Sequence, residues 1–529
     1  MTAAHSAAET APDLSGLTTL ILGGRHLADL ELLLSGAFAP LTGFLGETDL
    51  ASVRERGRLA DGTPWPIPVT LEVSGSALAH HERHVALADP EGTPLAVLRI
   101  TERAELPAAG GDGRPPLVRL AGPVTACREP EHGPFRRLML RPGEVRGMLG
   151  DGPVIAHLTR GPVHSRLIGQ LRHAAGEHRA RLLLMPLVAG PAEVVNRPEA
   201  LVRAVLAAAA SLPPGTLVVP VPLAPRGAAP GRELAAQAMI AAAYGATHLI
   251  ADGPGAPCGS EEAAGTHGSD GADQPGLALP LLRTGDWAYD RVAEVWRPLT
   301  LIEPGTECSD LSPDELGDML DAGAEIPAWF TPPEVARELI RARPPRSRRG
   351  IVLFLTGLSG SGKSTIARNL RDVLSERGDR RVSLLDGDLV RQLLSAGLTF
   401  SRADRDLNIA RIGFVAAEVA RHGGIAICAP IAPYADARAR VREMVSEVGD
   451  FLLIHVATPV EVCAARDRKG LYAKAYSGLI DHFTGVSDPY EEPTDAELTI
   501  DTSVMTPDQA TGAVMNLLTS GGWLAAEPG

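Results

Sequence analysis

At 529 residues the chain is too long for one hydrophobic core and is expected to divide into three or four domains. With 45% hydrophobic, 22% charged and only 4% aromatic residues, its composition supports folding through most of its length. The formal net charge of −14 excludes a general nucleic-acid or membrane-surface binder, because polyphosphate backbones and anionic lipids require a basic face, and leaves small anionic ligands in local basic pockets.

Residues 1–15 are small and polar and read as a disordered start, with neither the basic nor the apolar region of a targeting signal. From 16 to 140 turn residues interrupt short alternating runs such as "WPIPVTLEV" and "PLAVLRIT", the pattern of a β-rich domain. One early helix is expected at "LADLELLLSG", where leucines recur at helical spacing and Gly36 stands where a C-terminal cap belongs.

From 141 to 338 apolar runs ("GPVIAHLT", "RARLLLMPLV", "GTLVVPVPL") alternate with helical stretches, which predicts a parallel α/β sheet with a small helical tail. Within it "VIAHLTRGPVHSRLIGQL" places Thr159, Arg160 and His164 at a strand-to-helix turn. Residues 252–276 are too rich in Gly, Ser and Asp to order themselves without a partner. The Pro and Arg density of "RARPPRSRRG" marks 339–349 as an exposed linker.

Residues 350–529 open a fresh α/β pattern. "GIVLFLTGLSGSGKSTIARNL" is a strand, a glycine-rich turn and a helix start, with Gly357, Gly362, Lys363 and Ser364 filling G-x-x-x-x-G-K-[ST]. Glycines let backbone N–H groups wrap a phosphate, the helix N-terminus adds its dipole, Lys363 bridges phosphates and Ser364 ligates magnesium. "SLLDGDLVRQLL" then sets Asp386 and Asp388 beyond a strand's C-terminal edge, where open α/β sheets bind ligands. A carboxylate there orients magnesium or takes the proton of an attacking hydroxyl; an acidic turn before a helix cap is the plain alternative. Arg391, Arg405, Arg411, Arg466, Arg468, Lys469 and Lys474 are candidates for a second anion, although each alone is more often a solvated charge.

In this order and spacing, "FLTGLSGSGKSTIA", "LLDGDLVR", "FSRADRDLNIARIG", "RDRKGLY" and "FTGVSDPYEEP" resemble adenylylsulfate kinase. The resemblance implies transfer of the ATP γ-phosphate to the 3′-hydroxyl of adenylyl sulfate (APS), giving PAPS and ADP, with Mg2+. It implies ATP binding by Gly357, Leu358, Ser359, Gly360, Ser361, Gly362, Lys363, Ser364 and Thr365, catalysis by Lys363 and Asp386, and metal ligation by Ser364. For APS it implies Asp388, Arg391, Phe400, Arg405, Asn408, Ile431, Lys469, Leu471 and Phe483, the two phenylalanines stacking on the base. The chain departs from the family at Ala432, where a serine is common, at Leu389 for an asparagine, and at Tyr476 for an arginine.

Residues 20 to 340 resemble ATP sulfurylase, through "DLELLLSGAFAPLTGFLG", "WPIPVTLEV", "GRELAAQAMIAAAYGATHLI" and "PAWFTPPEV". That implies a PUA-like β domain and a Rossmann-like nucleotidyltransferase domain ahead of the P-loop kinase domain, a multidomain α/β protein. The family's first site reads Gln-Thr-Arg-Asn-Pro-x-His-x-x-His; here the matching stretch keeps Thr159, Arg160 and His164 but has Leu158, Gly161 and Leu167 for Gln, Asn and the second His. Its second site, Gly-Arg-Asp-His-Ala-Gly, should begin at Asp252, where the chain reads "DGPGAPCGS", and Ser-Gly-Thr-x-x-Arg has become "SPDELG". Losing one donor to a developing charge costs about 10² to 10³ in rate, so several losses leave little catalysis.

Two readings follow for this half: a sulfurylase fold kept as scaffold, oligomerisation surface or regulatory nucleotide binder, or an altered nucleotidyltransferase working through Thr159, Arg160, His164 and His157. For the whole chain the alternatives are a fully bifunctional PAPS synthase and a non-catalytic nucleotide sensor. Five scattered cysteines without a CxxC pair fit a reducing cytoplasm better than a disulfide framework or zinc site. ATP and APS as ligands, no nucleic acid, no membrane and a homo-oligomer complete the expectation.

Overall fold

The computed structural model describes residues 14–79, 81–106, 116–130, 133–190, 197–251, 277–303, 307–308, 310–399, 401–480 and 482–524. The segment 252–276 and Phe400 lie outside the described residues, as does the side chain of Asp388. The chain divides into two compact units, 1–313 with 326–342, and 314–325 with 343–529.

In the first unit a seven-stranded, mainly antiparallel sheet runs in the order Thr19–Ile21, His84–Ala88, Pro94–Arg99, Leu117–Ala126, Gly43–Phe44, with Leu71–Ser74 and Glu102–Glu105 also pairing with the long strand Leu117–Ala126. The expected early helix is Gly24–Ser35; Gly36 closes it at φ 79° and donates its N–H to the Leu33 carbonyl. A five-stranded parallel sheet follows, ordered Leu217–Val218, Arg181–Pro186, Val154–Thr159, His248–Ile250, Leu281–Leu282. Val154–Thr159 is buried throughout, as a parallel strand covered on both faces must be. One apolar cluster, including Trp65, Leu87, Leu158 and Ile240, joins these two sheets. A three-stranded antiparallel sheet of Trp287–Asp290, Val295–Pro298 and Glu307–Cys308 completes it.

The second unit is a five-stranded, all-parallel sheet ordered Val382–Asp386, Ile425–Ala429, Ile351–Thr356, Asp450–Val456, Leu498–Ile500. Its first strand in sequence, Ile351–Thr356, is central and fully buried, as expected for the uninterrupted apolar run "IVLFL". Helices Lys363–Arg377 and Pro507–Ser520 pack on one face, Arg402–Arg421 and Ala435–Ser446 on the other. Strand order reverses about Ile351–Thr356, which opens a crevice at the C-terminal ends of the strands.

The stretch 339–349 differs from the exposed linker expected of it. Helix Pro333–Ala342 takes up its first four residues. Arg343, Arg346 and Arg349 then converge on Asp321 at 2.7, 3.2 and 2.5 Å, and Arg349 also reaches Asp450 at 3.2 Å. Arginine density alone does not reveal that one carboxylate gathers these side chains, and helix Pro313–Ala322, which carries it, groups with the second unit rather than the first.

Candidate functional site

The glycine-rich loop leaves the central strand and enters helix Lys363–Arg377. Gly357, Gly360 and Gly362 hold φ of 149°, 77° and 103°, left-handed values that only glycine adopts without strain. A Cβ on Gly357 would stand 2.4 Å from the Val456 carbonyl oxygen, so the curl also needs glycine for space. Lys363, the first helical residue, is buried at 7% exposure. Its ammonium donates to the carbonyls of Gly357 and Leu358 at 2.9 and 2.7 Å and lies 3.4 Å from the Ser361 hydroxyl. The charge is therefore held inside the curl by the loop's own carbonyls.

Asp386 ends the strand Val382–Asp386 and is 8% exposed. Arg368, one helical turn beyond Ser364, approaches its carboxylate at 3.5 Å. Ser359, Gly360, Gly362, Lys363, Ser364, Thr365 and Asp386 line a cavity of about 1080 Å³ together with Arg391, Arg405, Asn408, Ile431, Lys469, Leu471 and Phe483. Most of the site residues expected from the sequence thus line one space; Phe400 and the Asp388 side chain are outside what is described. Gly357, Leu358 and Ser361 shape the loop from behind, and Ser361 is fully buried with its carbonyl accepting the hydroxyls of Thr458 and Thr502 at 3.1 and 2.9 Å. Arg411 and Lys474 do not line the cavity; Arg411 donates to the Leu394 carbonyl at 2.7 Å instead.

The wall opposite the loop is anchored by buried polar groups. Arg405, on helix Arg402–Arg421, donates to Thr484 Oγ1 at 3.0 Å and to the His482 carbonyl, and pairs with Asp488 at 3.0 Å. Asn408 is 6% exposed, and its Oδ1 is shut off from solvent without a hydrogen-bond partner. Such an atom costs free energy unless a ligand satisfies it. Phe483 and Tyr472 meet in a T-shaped ring pair, centroids 5.0 Å apart at 76°. Ala432, where the related family commonly has serine, is buried at φ 46° and its carbonyl accepts from Arg438 at 2.8 Å.

Sequence reasoning missed Arg368, Tyr472, Thr484, Asp488 and Thr502. Arg368 had a signal, its spacing of four from Ser364, which puts both on one helix face. Tyr472, Thr484 and Asp488 stand inside the quoted runs "RDRKGLY" and "FTGVSDPYEEP", but their partners, like those of Thr502, lie in distant segments that no local pattern names. For magnesium, Ser364 and Asp386 offer a hydroxyl and a carboxylate on one cavity. No cluster of three or more His, Cys, Asp or Glu suited to a metal occurs among the described residues. A sparse, all-oxygen donor set suits Mg2+, which keeps waters and takes its other ligands from substrate phosphates.

In the first unit, strand Val154–Thr159 and helix Ser165–His178 frame the turn that holds Thr159, Arg160 and His164. The Thr159 hydroxyl donates to the Gly161 carbonyl at 2.7 Å and accepts that residue's N–H at 3.0 Å. Arg160 donates to the carbonyls of Ala189 and Leu223 at 3.1 and 2.8 Å, and burial lowers its pKa. His164 stacks on Phe330, centroids 4.3 Å apart, and burial pushes its pKa down to about 4. Leu158 and Leu167 are 5% and 6% exposed. The polar side chains of Thr159 and Arg160 are engaged by the protein's own backbone, and the turn's two leucines pack in the interior. His157 is fully buried, with Nδ1 3.1 Å from the Ile250 carbonyl.

The C-terminal unit has the fold and loop of a P-loop kinase, and the N-terminal unit joins a β domain to a parallel α/β domain. Residues 349–501 match the adenylylsulphate kinase family, 136–342 the ATP-sulfurylase family and 1–108 a PUA-like domain. The chain is 37% identical to a sulfate adenylyltransferase of Coccidioides immitis over 98% of its length and 96% of that protein's, and 35% identical to one of Neurospora crassa over the same shares. A solved structure described as a hexameric APS kinase from Thiobacillus denitrificans is 35% identical with a TM-score of 0.76, covering 97% of this chain and 95% of that one. The chain belongs to the family of ATP sulfurylase domains fused to an adenylylsulfate kinase domain.

Proposed function

We propose that the protein is an adenylylsulfate kinase, converting APS and ATP to PAPS and ADP, and that its sulfurylase-fold unit no longer makes APS. The observation that carries the kinase reading is the single cavity that unites Lys363, Ser364 and Asp386 with Arg405, Asn408 and Phe483. The loop and Lys363 hold the β- and γ-phosphates, while Arg391, Arg405, Asn408 and Lys469 grip APS and Phe483 stacks on its base, with Ile431 and Leu471 completing that half. Asp386 orients the 3′-hydroxyl and takes its proton as the oxygen bonds to the γ-phosphorus. The bond from that phosphorus to the β–γ bridging oxygen breaks, and ADP leaves with the electron pair. Ser364 and Asp386 are the residues that would hold Mg2+, which neutralises phosphate charge when bound. With Ala432 in place of serine, transfer is direct.

Loss of sulfurylase chemistry is supported by Leu158, Gly161 and Leu167 standing where the family has Gln, Asn and a second His, with both leucines packed in the interior. A bifunctional enzyme is the second reading, favoured by relatives named sulfate adenylyltransferase that match over nearly the full length. The Thiobacillus relative, matched over 97% of this chain, is described by its kinase activity and as a hexamer, which also supports a homo-oligomer here. No described helix is long and apolar enough to cross a membrane, and the scattered cysteines favour the cytoplasm. The test is γ-labelled ATP with APS and magnesium. Label should appear in PAPS and form about 10² to 10³ times more slowly with Lys363→Ala; no labelled product from the intact protein would defeat the kinase reading.

A further inference from the structure

The wall of the kinase cavity beside Asp386 is a strained turn. Strand Ile425–Ala429 pairs Ala429 with Asp386, and the four residues that follow, Pro430 to Pro433, line the cavity. Ala432 holds φ 46°, a left-handed value that an alanine avoids. Pro433 opposes it a second time, because a residue before proline is pushed toward extended backbone. A conformation disfavoured twice by its own sequence persists only where the surroundings hold it.

The groups that hold it lie behind the turn. Arg438, on helix Ala435–Ser446, is 4% exposed and does not itself line the cavity. It donates to the Ala432 carbonyl at 2.8 Å and to the Glu491 carbonyl at 2.7 Å. Glu491 donates its N–H to the Pro433 carbonyl at 2.9 Å, and its carboxylate accepts the Ala435 N–H at 2.7 Å. The Thr356 hydroxyl, at the end of the central strand, donates to the Ile431 carbonyl at 2.6 Å. With that proton spent, the Thr356 oxygen accepts from the Tyr490 hydroxyl 3.0 Å away. The carbonyls of Ile431, Ala432 and Pro433 are thus each committed to a protein donor. Of these donors, Arg438 alone ties the strained residue to a second segment of the chain.

We infer that Arg438 is a positioning residue for APS: by clamping the Ala432 carbonyl it keeps the turn from Pro430 to Pro433 in the left-handed form that shapes the APS wall. This rests on the kinase reading of the cavity. Without the clamp the turn relaxes toward the extended backbone its sequence prefers, and only the fraction still left-handed binds APS well. The bias of an alanine against this conformation corresponds to about five- to thirtyfold in population. The phosphate loop keeps its curl through its own glycines, so ATP binding is spared.

The test is steady-state kinetics of the full chain, with APS and ATP varied in turn, for wild type, Arg438→Met and the double variant Arg438→Met with Ala432→Gly. Arg438→Met should raise KM for APS about five- to thirtyfold while kcat and KM for ATP stay within about threefold of wild type. Glycine takes the left-handed conformation without strain, so the double variant should recover at least about threefold of that rise. A role confined to general stability predicts no such recovery. An unchanged KM for APS in Arg438→Met, or a double variant no better than the single one, overturns the inference. Melting curves check folding. Should Arg438→Met not fold, Arg438→Lys is measured with and without Ala432→Gly under the same expectations, since one ammonium does not reproduce both bonds of the guanidinium. If the inference fails while wild type turns over APS, the kinase reading stands without it; no turnover of APS by wild type defeats both.

Discussion

Arg368 holds its guanidinium 3.5 Å from the carboxylate of Asp386, which is buried, whereas the arginine side chain is 62% exposed. An ion pair with one partner so exposed contributes at most about 1 kcal/mol, so its effect is on what else the carboxylate can bind. A cation entering at Asp386 must displace this arginine. Arg368→Ala should therefore lower the magnesium concentration for half-maximal rate by about two- to threefold and leave kcat within the same factor, by the small energy of the pair. Asp386→Asn should cut kcat by about 10² to 10⁴, the usual weight of a proton acceptor. Both are read from steady-state rates across a magnesium titration.

Lys363 brings a buried ammonium into the loop, held by two carbonyls and the Ser361 hydroxyl. Lys363→Ala should lower kcat/KM for ATP by about 10² to 10³, as loss of a preorganised donor to developing charge does. Circular dichroism should show the fold retained, since the glycine-rich curl is set by backbone conformation and not by this side chain.

His164 in the other unit gives a pH prediction. Its folded pKa is about 4, against 6.5 for a free imidazole, because burial disfavours the cation. As pH falls the unfolded chain takes the proton first. Stability from this group is thus complete above about pH 6.5, declines between there and about pH 4, and changes no further below. The decline amounts to about 3 kcal/mol, since each tenfold difference in proton affinity between the folded and unfolded chain carries roughly 1.4 kcal/mol. Denaturant unfolding of wild type and His164→Phe across this range checks it: the variant should lose the slope.

Arg160 should behave as a structural residue. Arg160→Ala leaves the carbonyls of Ala189 and Leu223 without their donors and should destabilise the first unit by about 1–3 kcal/mol. PAPS formation from APS should remain at the wild-type rate. A sulfate-dependent activity lost in this variant would instead assign the arginine to catalysis.

The kinase half was legible because its chemistry is written locally. A buried strand, three glycines and Gly-Lys-Ser are contiguous, so one stretch specifies strand, turn and helix start together. Helix Gly24–Ser35 was legible for the same reason, with apolar spacing and a closing glycine in one window. What was not legible depends on meetings between distant segments. Asp321 gathering Arg343, Arg346 and Arg349 turned an expected linker into packed structure. The Tyr472 bond to Ser359 spans 113 residues; the three arginines resemble ordinary surface residues in sequence, and the run "RDRKGLY" holds the tyrosine without naming its partner. At Arg160 the sequence showed which neighbours had been replaced, while the carbonyls that occupy its guanidinium required the fold.

The proposed division of labour between the two units can be tested on one preparation. The full chain is given magnesium and ATP in two parallel reactions, one with APS and one with sulfate plus pyrophosphatase, while ADP, inorganic phosphate and PAPS are followed. With APS, ADP and PAPS should form in equal amounts, and with sulfate no sulfate-dependent phosphate should be released. Phosphate released in proportion to sulfate, with PAPS accumulating from sulfate alone, would contradict it and make the enzyme bifunctional.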